Sequence, residues 1–316
     1  MAERVLVTGG AGFIGSHVVE HYLEADFAVT VLDNLSSGRR ENVPAGAEFV
    51  EADVRSARAR RLLATGGFGV LNHHAAQMDV RVSVEDPMLD ADQNIMGLLN
   101  LLAGAREGGV RRVVFASSGG VVYGESDRVP HPETAPKLPV SPYGVSKLAS
   151  EFYLAAYRAL HGLEAVSLRY ANVYGPRQSP HGEAGVVAIF GSRLLRGEPL
   201  TVFGDGEQTR DYVFVGDVAA ANVAATTWHT SPVISLDDPA FNVGTGVETS
   251  VNELARTLIE AAGGSGKIAH APARAGELKR SAVAWDKARD VLGWRPDVSL
   301  AEGLRQTYDW LAEVKA

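Results

Sequence analysis

Glycines at 9, 12 and 15, in the stretch TGGAGFIG, follow a short apolar run, RVLVT, and open a segment with helical periodicity, FIGSHVVEHYLEA. Few folds use that arrangement. A strand that turns sharply into a helix leaves the helix's first amides unpaired, facing the turn, where an anion can take them up. Gly9 suits the tight turn, Gly12 lets a pyrophosphate approach the backbone, and Gly15 lets the helix pack closely on the strand. Asp33 ends the next strand-like run, AVTVLD, about twenty residues on, where a carboxylate can accept both ribose hydroxyls. Such a carboxylate repels a 2′-phosphate, so the expected cofactor is NAD. Arg39 and Arg40 argue the other way, since a nearby arginine can accept that phosphate, but Asp33 holds the strand-end position. Asp53, after the third strand-like run, is either an adenine-side contact or an ordinary loop acid.

Up to about residue 172 the chain alternates strand-like runs (RVLVTG, AVTVLD, AEFVEAD, GVLNHHAA, RRVVFASS, AVSLRYAN) with helical ones, the longest near Pro87 to Glu107. This predicts an α/β fold: a Rossmann-type doubly wound parallel sheet over residues 1–172. Beyond it, short strands (PLTVFG, RDYVFV, AFNVG) mix with helices near 184–197, 216–228, 250–262 and 300–314. We expect residues 173–316 to form mainly a second, smaller α/β substrate lobe, with some segments returning to the first domain. Residues 119–142 form a long connection, a length that is usually functional or disordered. A net charge of -8 argues against a nucleic-acid footprint. The chain has no cysteine, which excludes disulfides, thiolate metal sites and cysteine nucleophiles. No long apolar run or signal-peptide pattern is apparent, so cytosolic residence is the default expectation.

SPYGVSK, residues 141–147, carries the chemistry. Ser141 suits an N-cap and Pro142 the first helical position, which puts Tyr143 and Lys147 one turn apart on one face. A free phenol, with a pKa of about 10, is a poor base at neutral pH. A nearby ammonium and an oxidised nicotinamide both favour the phenolate, bringing it into range to abstract a proton from a sugar or alcohol hydroxyl. Ser117 or Ser118, ending RRVVFASS, can reach the same site from the carboxyl edge of the sheet.

In TGGAGFIGSH, LDNLSSG, HHAAQ, SSGGVVYGE, SPYGVSK, RYANVYGPR, TRDYVFVGDVA and ARAGELKR, in this order, the chain resembles the extended short-chain dehydrogenase/reductase family. Within it, the resemblance is to the nucleotide-sugar 4-epimerases. It implies that Tyr143 and Lys147 are the catalytic pair. It places the catalytic hydroxyl on Ser118 by distance to the tyrosine, and nearer Gly119 if counted back from VYG, with Ser117 in reserve. It also implies NAD contacts from Gly9, Gly12, Phe13, Ile14, Gly15, Asp33, Asn34, Asp53, Val54, Ala75, Tyr143 and Lys147. Related sugar dehydratases carry acidic residues just before VYG, and related decarboxylases keep a glutamate there; Gly119 and Gly120 stand here instead. What remains is transient oxidation of the sugar at C4, with no net redox.

The resemblance further implies substrate contacts from Ser118, Asn172, Arg210, Arg274, Glu277 and Ser281. Arginine forks suit a diphosphate. In similar epimerases a small residue at the position of Ser281 admits an N-acetyl group, so UDP-N-acetylhexosamines are expected beside UDP-glucose and UDP-galactose. A UDP-uronic acid 4-epimerase, a net nucleotide-sugar dehydrogenase or reductase, and a non-catalytic NAD sensor are the alternatives. A homodimer is expected, built on the helix near 90–107 and the Tyr143 helix. His73 and His74 are adjacent on a strand, point to opposite faces and cannot jointly chelate, so no metal is expected. The charged run ELKRSAVAWDKARD is expected to be a solvated helix face.

Overall fold

A computed structural model describes residues 2–126, 128–180, 185–228, 233–273 and 278–315. Strands β1 (Arg4–Thr8), β2 (Ala28–Asp33), β3 (Glu48–Glu51), β4 (Val70–His73), β5 (Arg112–Ser118) and β6 (Glu164–Tyr170) pair in parallel. Side chains of β1 alternate between two cores, Leu6 on one face and Val5 and Val7 on the other. That alternation, apolar on both sides, is what a parallel sheet covered by helices demands. The remaining strands are β7 (Asn172–Tyr174), β8 (Leu200–Phe203), β9 (Thr209–Arg210), β10 (Tyr212–Phe214), β11 (Ala240–Val243), β12 (Thr249–Ser250) and β13 (Ile268–Ala271). Among the described residues the large sheet has seven strands in the order β11-β6-β5-β4-β1-β2-β3, and three two-stranded ladders, β10-β7, β12-β9 and β13-β8, lie outside it. Strand β11 thus comes from far beyond residue 172 yet completes the large sheet beside β6. The Val215–Thr227 helix packs against the first helix, Phe13–Glu24.

Two helices frame the site. The Tyr143 helix runs Pro142–His161; the Ser141 hydroxyl accepts from the Gly144 amide at 3.2 Å, Pro142 fills the first turn, and Gly162 ends it with φ 69°. The preceding helical run starts at Pro87, capped by Asp86, passes through a π-turn at Asp92–Met96, and continues as Gly97–Gly108. The connection 119–142 is tied down: Tyr123 donates to Asn242 at 2.6 Å, the Asn242 amide donates to Glu133 at 2.9 Å, and Lys137 pairs with Asp237. Of the charged run, the described residues form a solvated helix face only at the end, 286–290. Residues 278–285 run outside any helix, with Ser281, Ala282 and Val283 buried, and only its end enters the Ala288–Leu292 π-turn. Backbone pairing explains this: Asp211 and Thr209 donate to the carbonyls of Ser281 and Lys279, which draws the segment alongside β9 as an extended strip.

Candidate active site

The cofactor end is built on backbone proximity. Gly9 has φ 72°, in the left-handed region, and a Cβ there would lie 2.7 Å from the Ala75 amide nitrogen. At Gly15 a Cβ would meet the Gly9 carbonyl oxygen at 2.2 Å, so the first helix seats directly on the turn. At Gly12 a Cβ would meet only that same oxygen, at 3.1 Å, which leaves the outer side of the loop open. Gly12 is also the N-cap of the helix and offers no side chain to its first amides. Those amides and the open loop fit a pyrophosphate. The Asp33 carboxylate is held by the Ala11 amide at 3.0 Å and the Leu35 amide at 2.8 Å, which fixes it at the end of β2.

Around this loop the other expected cofactor contacts take definite places. Phe13 and Ile14 open the first helix, half-buried, and Ile14 packs against several core clusters. The Ala75 amide donates to Thr8 Oγ1 at 3.3 Å. Asn34 donates to Asp53 at 3.1 Å, and Val54 packs where a Cβ on Gly97 would lie 2.8 Å from its Cγ2. The Arg55 guanidinium holds the Asp53 carboxyl down to about 2 and bridges to Asp92. Arg40 stacks on Phe49, its guanidinium 4.4 Å from the ring centre, and Arg39 lies 3.9 Å from Glu41.

At the carboxyl edge of the sheet, Lys147 is buried and donates to the Ala116 carbonyl at 2.8 Å. Its ammonium lies 5.7 Å from the centre of the Tyr143 ring and 4.9 Å from that of Phe115. Burial pushes Lys147 down to about 8, with the charges of Asp90 and Glu151 opposing the fall. The two candidate serines diverge. Ser117 is buried and donates to Glu151 at 2.5 Å, within a network in which Arg169 pairs with Glu151 at 2.6 Å. Ser118 is half-buried, and a Cβ on Gly120 would lie 3.8 Å from its hydroxyl and 3.9 Å from Asn172 Oδ1. Ser118 and Asn172 therefore both face Gly120.

Asn172 is exposed, and its amide donates to the Asp211 carbonyl at 2.9 Å. Asp211 in turn donates to Ser281, so Asn172, Arg210 and Ser281 gather around one short stretch of backbone. The Arg210 guanidinium reaches its neighbour's carbonyl, Thr209 O, at 2.8 Å. Arg274 and Glu277 lie outside the described residues. His73 and His74 point apart: His73 Nδ1 is 2.7 Å from Thr8 Oγ1, whereas His74 Nε2 is 3.0 Å from the Tyr170 hydroxyl. Burial lowers both to about 3, so both are neutral. Among the described residues no group of three or more acidic, histidine or cysteine side chains is placed to hold a metal. No described helix is long and apolar enough to cross a membrane. Sequence reasoning passed over Asp90 and Glu151, two wholly buried acids near Lys147. Glu151, four residues after Lys147 on the same helix, was open to detection by spacing; Asp90 was not.

Residues 5–244 match the NAD dependent epimerase/dehydratase family. The chain is 47% identical over 317 residues to the UDP-glucose 4-epimerase of Mycolicibacterium smegmatis, covering 97% of this chain and 98% of that one. It superposes with a TM-score of 0.94 on the UDP-glucose 4-epimerase of Thermotoga maritima solved with UDP-glucose, at 45% identity, covering 99% of this chain and 100% of that one. The Thermus thermophilus UDP-glucose 4-epimerase complex with NAD gives a TM-score of 0.90 at 48% identity, covering 98% and 99%. A glycine turn built for a pyrophosphate, a buried lysine beneath a tyrosine, and likeness along the whole chain converge: this protein belongs to the NAD-dependent epimerase/dehydratase family.

Proposed function

We propose that the protein is a 4-epimerase interconverting UDP-glucose and UDP-galactose, with UDP-N-acetylhexosamines as further substrates. The observation that carries this reading is the buried Lys147 ammonium, 5.7 Å from the centre of the Tyr143 ring and bonded to Ala116 on the strand that ends at Ser118, in a chain similar throughout to UDP-glucose 4-epimerases. NAD, when bound, supplies reversible oxidation at the sugar C4. The chain's own residues handle protons and position. Tyr143 takes the proton of the 4-hydroxyl and later returns it, with the Lys147 ammonium favouring the phenolate. Ser118 orients that hydroxyl from the other side. Gly119 and Gly120 offer no acid to expel water, so the ketone formed at C4 can only be reduced again.

On the substrate side, Asn172, Arg210, Arg274 and Glu277 hold the nucleotide and diphosphate, and Ser281 leaves room for an N-acetyl group. The active unit is a homodimer. Met88 (82% exposed) on the Pro87–Ala91 helix, and Phe152 (58%) and Leu160 (74%) on the Tyr143 helix, present apolar surface that a second copy would cover. Tyr143→Phe tests the assignment of the base: turnover should fall by roughly 10²–10⁴ with bound NAD retained. Near-normal turnover would overturn it. Ser281→Tyr should abolish turnover of N-acetylated sugars selectively; equal loss with both substrate classes would remove the gate.

A further inference from the structure

Behind the Tyr143 helix lies a charged group that the reaction scheme above leaves unused. Asp90, on the Pro87–Ala91 helix, is wholly buried. Its carboxylate accepts from the Ser146 hydroxyl, from Asn94 Nδ2 at 2.9 Å and from Gln77 Nε2 at 3.1 Å. All three donors are neutral. Asn94 also accepts the Gln77 amide at 2.9 Å and donates to the Gln77 carbonyl at 2.9 Å. The segment after β4, whose Ala75 abuts Gly9, is thereby fastened to the same carboxylate. Ser146 is the immediate neighbour of Lys147.

Lys147 is the matching opposite. It is a buried cation whose hydrogen bond goes to a neutral carbonyl. The other nearby acid, Glu151, is already paired with Arg169. Of the two carboxylates, Asp90 alone meets only neutral donors. A lone buried charge is costly, and two opposite ones close together offset each other.

We propose that Asp90 is the counter-charge of Lys147 and, through Ser146, a positioning residue of the proton-transfer site. This rests on reading Tyr143 and Lys147 as the proton-transfer pair. The groups that act on Lys147 are Asp90 from the preceding helical run, Tyr143 and Glu151 on its own helix, and His73 at the end of β4 with His74 just after it. Both histidines are neutral, and Asp90 is the larger of the two influences that keep the ammonium protonated. Without that charge, Lys147 would lose its proton within the working range of the enzyme, and the phenolate would lose its electrostatic partner.

Two variants separate charge from contact. Asp90→Asn removes the charge and keeps the shape, whereas Ser146→Ala removes a hydrogen bond and keeps the charge. The titration of Lys147, one of six lysines, is followed by NMR in lysine-labelled protein, beside the pH profile of turnover. Asp90→Asn should lower the Lys147 midpoint by about one pH unit, draw the alkaline limb of kcat down with it, and leave KM little changed. Ser146→Ala should leave the midpoint in place, and Asp90→Glu should restore it. Should Asp90→Asn fail to fold, Asp90→Ser carries the same test. An unmoved midpoint in the charge-removing variant overturns the proposal, as does an equal shift in Ser146→Ala. Tyr143→Phe keeps the two readings apart. Lost turnover there with an unmoved midpoint in Asp90→Asn sinks the counter-charge alone, whereas normal turnover there sinks the pair itself.

Discussion

The glycine turn and the small ladders around Asp211 are held in shape by different means. Around the glycine turn, backbone meets backbone: Gly15 and Gly9 sit where any side chain would strike a main-chain atom. Outside the large sheet the ladders are two strands wide, too small to stand alone, and side chains reaching across to backbone amides hold them. Asp211 is the clearest case. Its buried carboxylate accepts from the Thr245 amide and hydroxyl, both on one oxygen, and on the other from the Gly246 amide at 3.0 Å and the Val283 amide at 3.3 Å. Asp217 does the same for Val298. Close backbone packing leaves a mark in the local sequence, because only glycine fits. A carboxylate serving amides 34 and 72 positions away leaves none.

Acid should separate the two regions most strongly. His73 and His74 are neutral in the folded protein and must charge on unfolding, so the unfolded state binds more protons between their folded value of about 3 and the ordinary 6.5. Their contribution to stability is therefore complete above about pH 6.5 and is lost as the pH falls toward 3. Burial raises Asp211 and Asp217 instead, so the folded state takes up their protons first and mild acid favours it. Hydrogen exchange on acidification should accordingly accelerate around β4 before it does around β10. Simultaneous loss in both regions would break the contrast.

Next in size is Asp211→Ala, which strands three amides, that of Val283 buried and those of Thr245 and Gly246 part-buried, and should cost about 3–5 kcal/mol in denaturant unfolding. Exchange at residues 244–246 and 283 should rise first, with β1 and β2 still protected. A smaller effect is expected at the turn: Gly15→Ala should destabilise by about 1–3 kcal/mol and abolish NAD retention. Gly12→Ala sharpens the point, since it should weaken NAD binding, read by calorimetric titration, with little change in Tm. Smallest is Asp53→Asn. Its pairing with Arg55 is partly solvated, so stability should change by less than about 1 kcal/mol.

The same contrast explains what could be read from the chain alone. The glycine spacing, Asp33 at a strand end, and the Ser141 and Pro142 start of the Tyr143 helix each depend on neighbours within a few residues, and each is visible locally. A return of some later segment to the large sheet was expected, but that Ala240–Val243 makes it is not visible locally, because its register is set by β6, some 70 positions earlier. The strip at 278–285 reads as a charged helix, since its charges are local while the carbonyl contacts that extend it come from Thr209 and Asp211. Likewise, nothing near Asp90 announces that its partner is Ser146, 56 positions later. The bond from Ser117 to Glu151 is likewise invisible in the chain, because Ser117 and Ser118 end the same strand and Glu151 lies 34 positions later.

The most direct test of the central claim uses the purified protein with no cofactor added. It is incubated separately with UDP-galactose, UDP-N-acetylgalactosamine and UDP-galacturonate while the anomeric protons are followed by NMR. The account predicts that the gluco partner of UDP-galactose appears, that the N-acetylated sugar is also converted, and that no cofactor is consumed. Conversion of UDP-galacturonate alone would contradict the substrate assignment. No conversion of any of the three, even after NAD is supplied, would contradict the account itself.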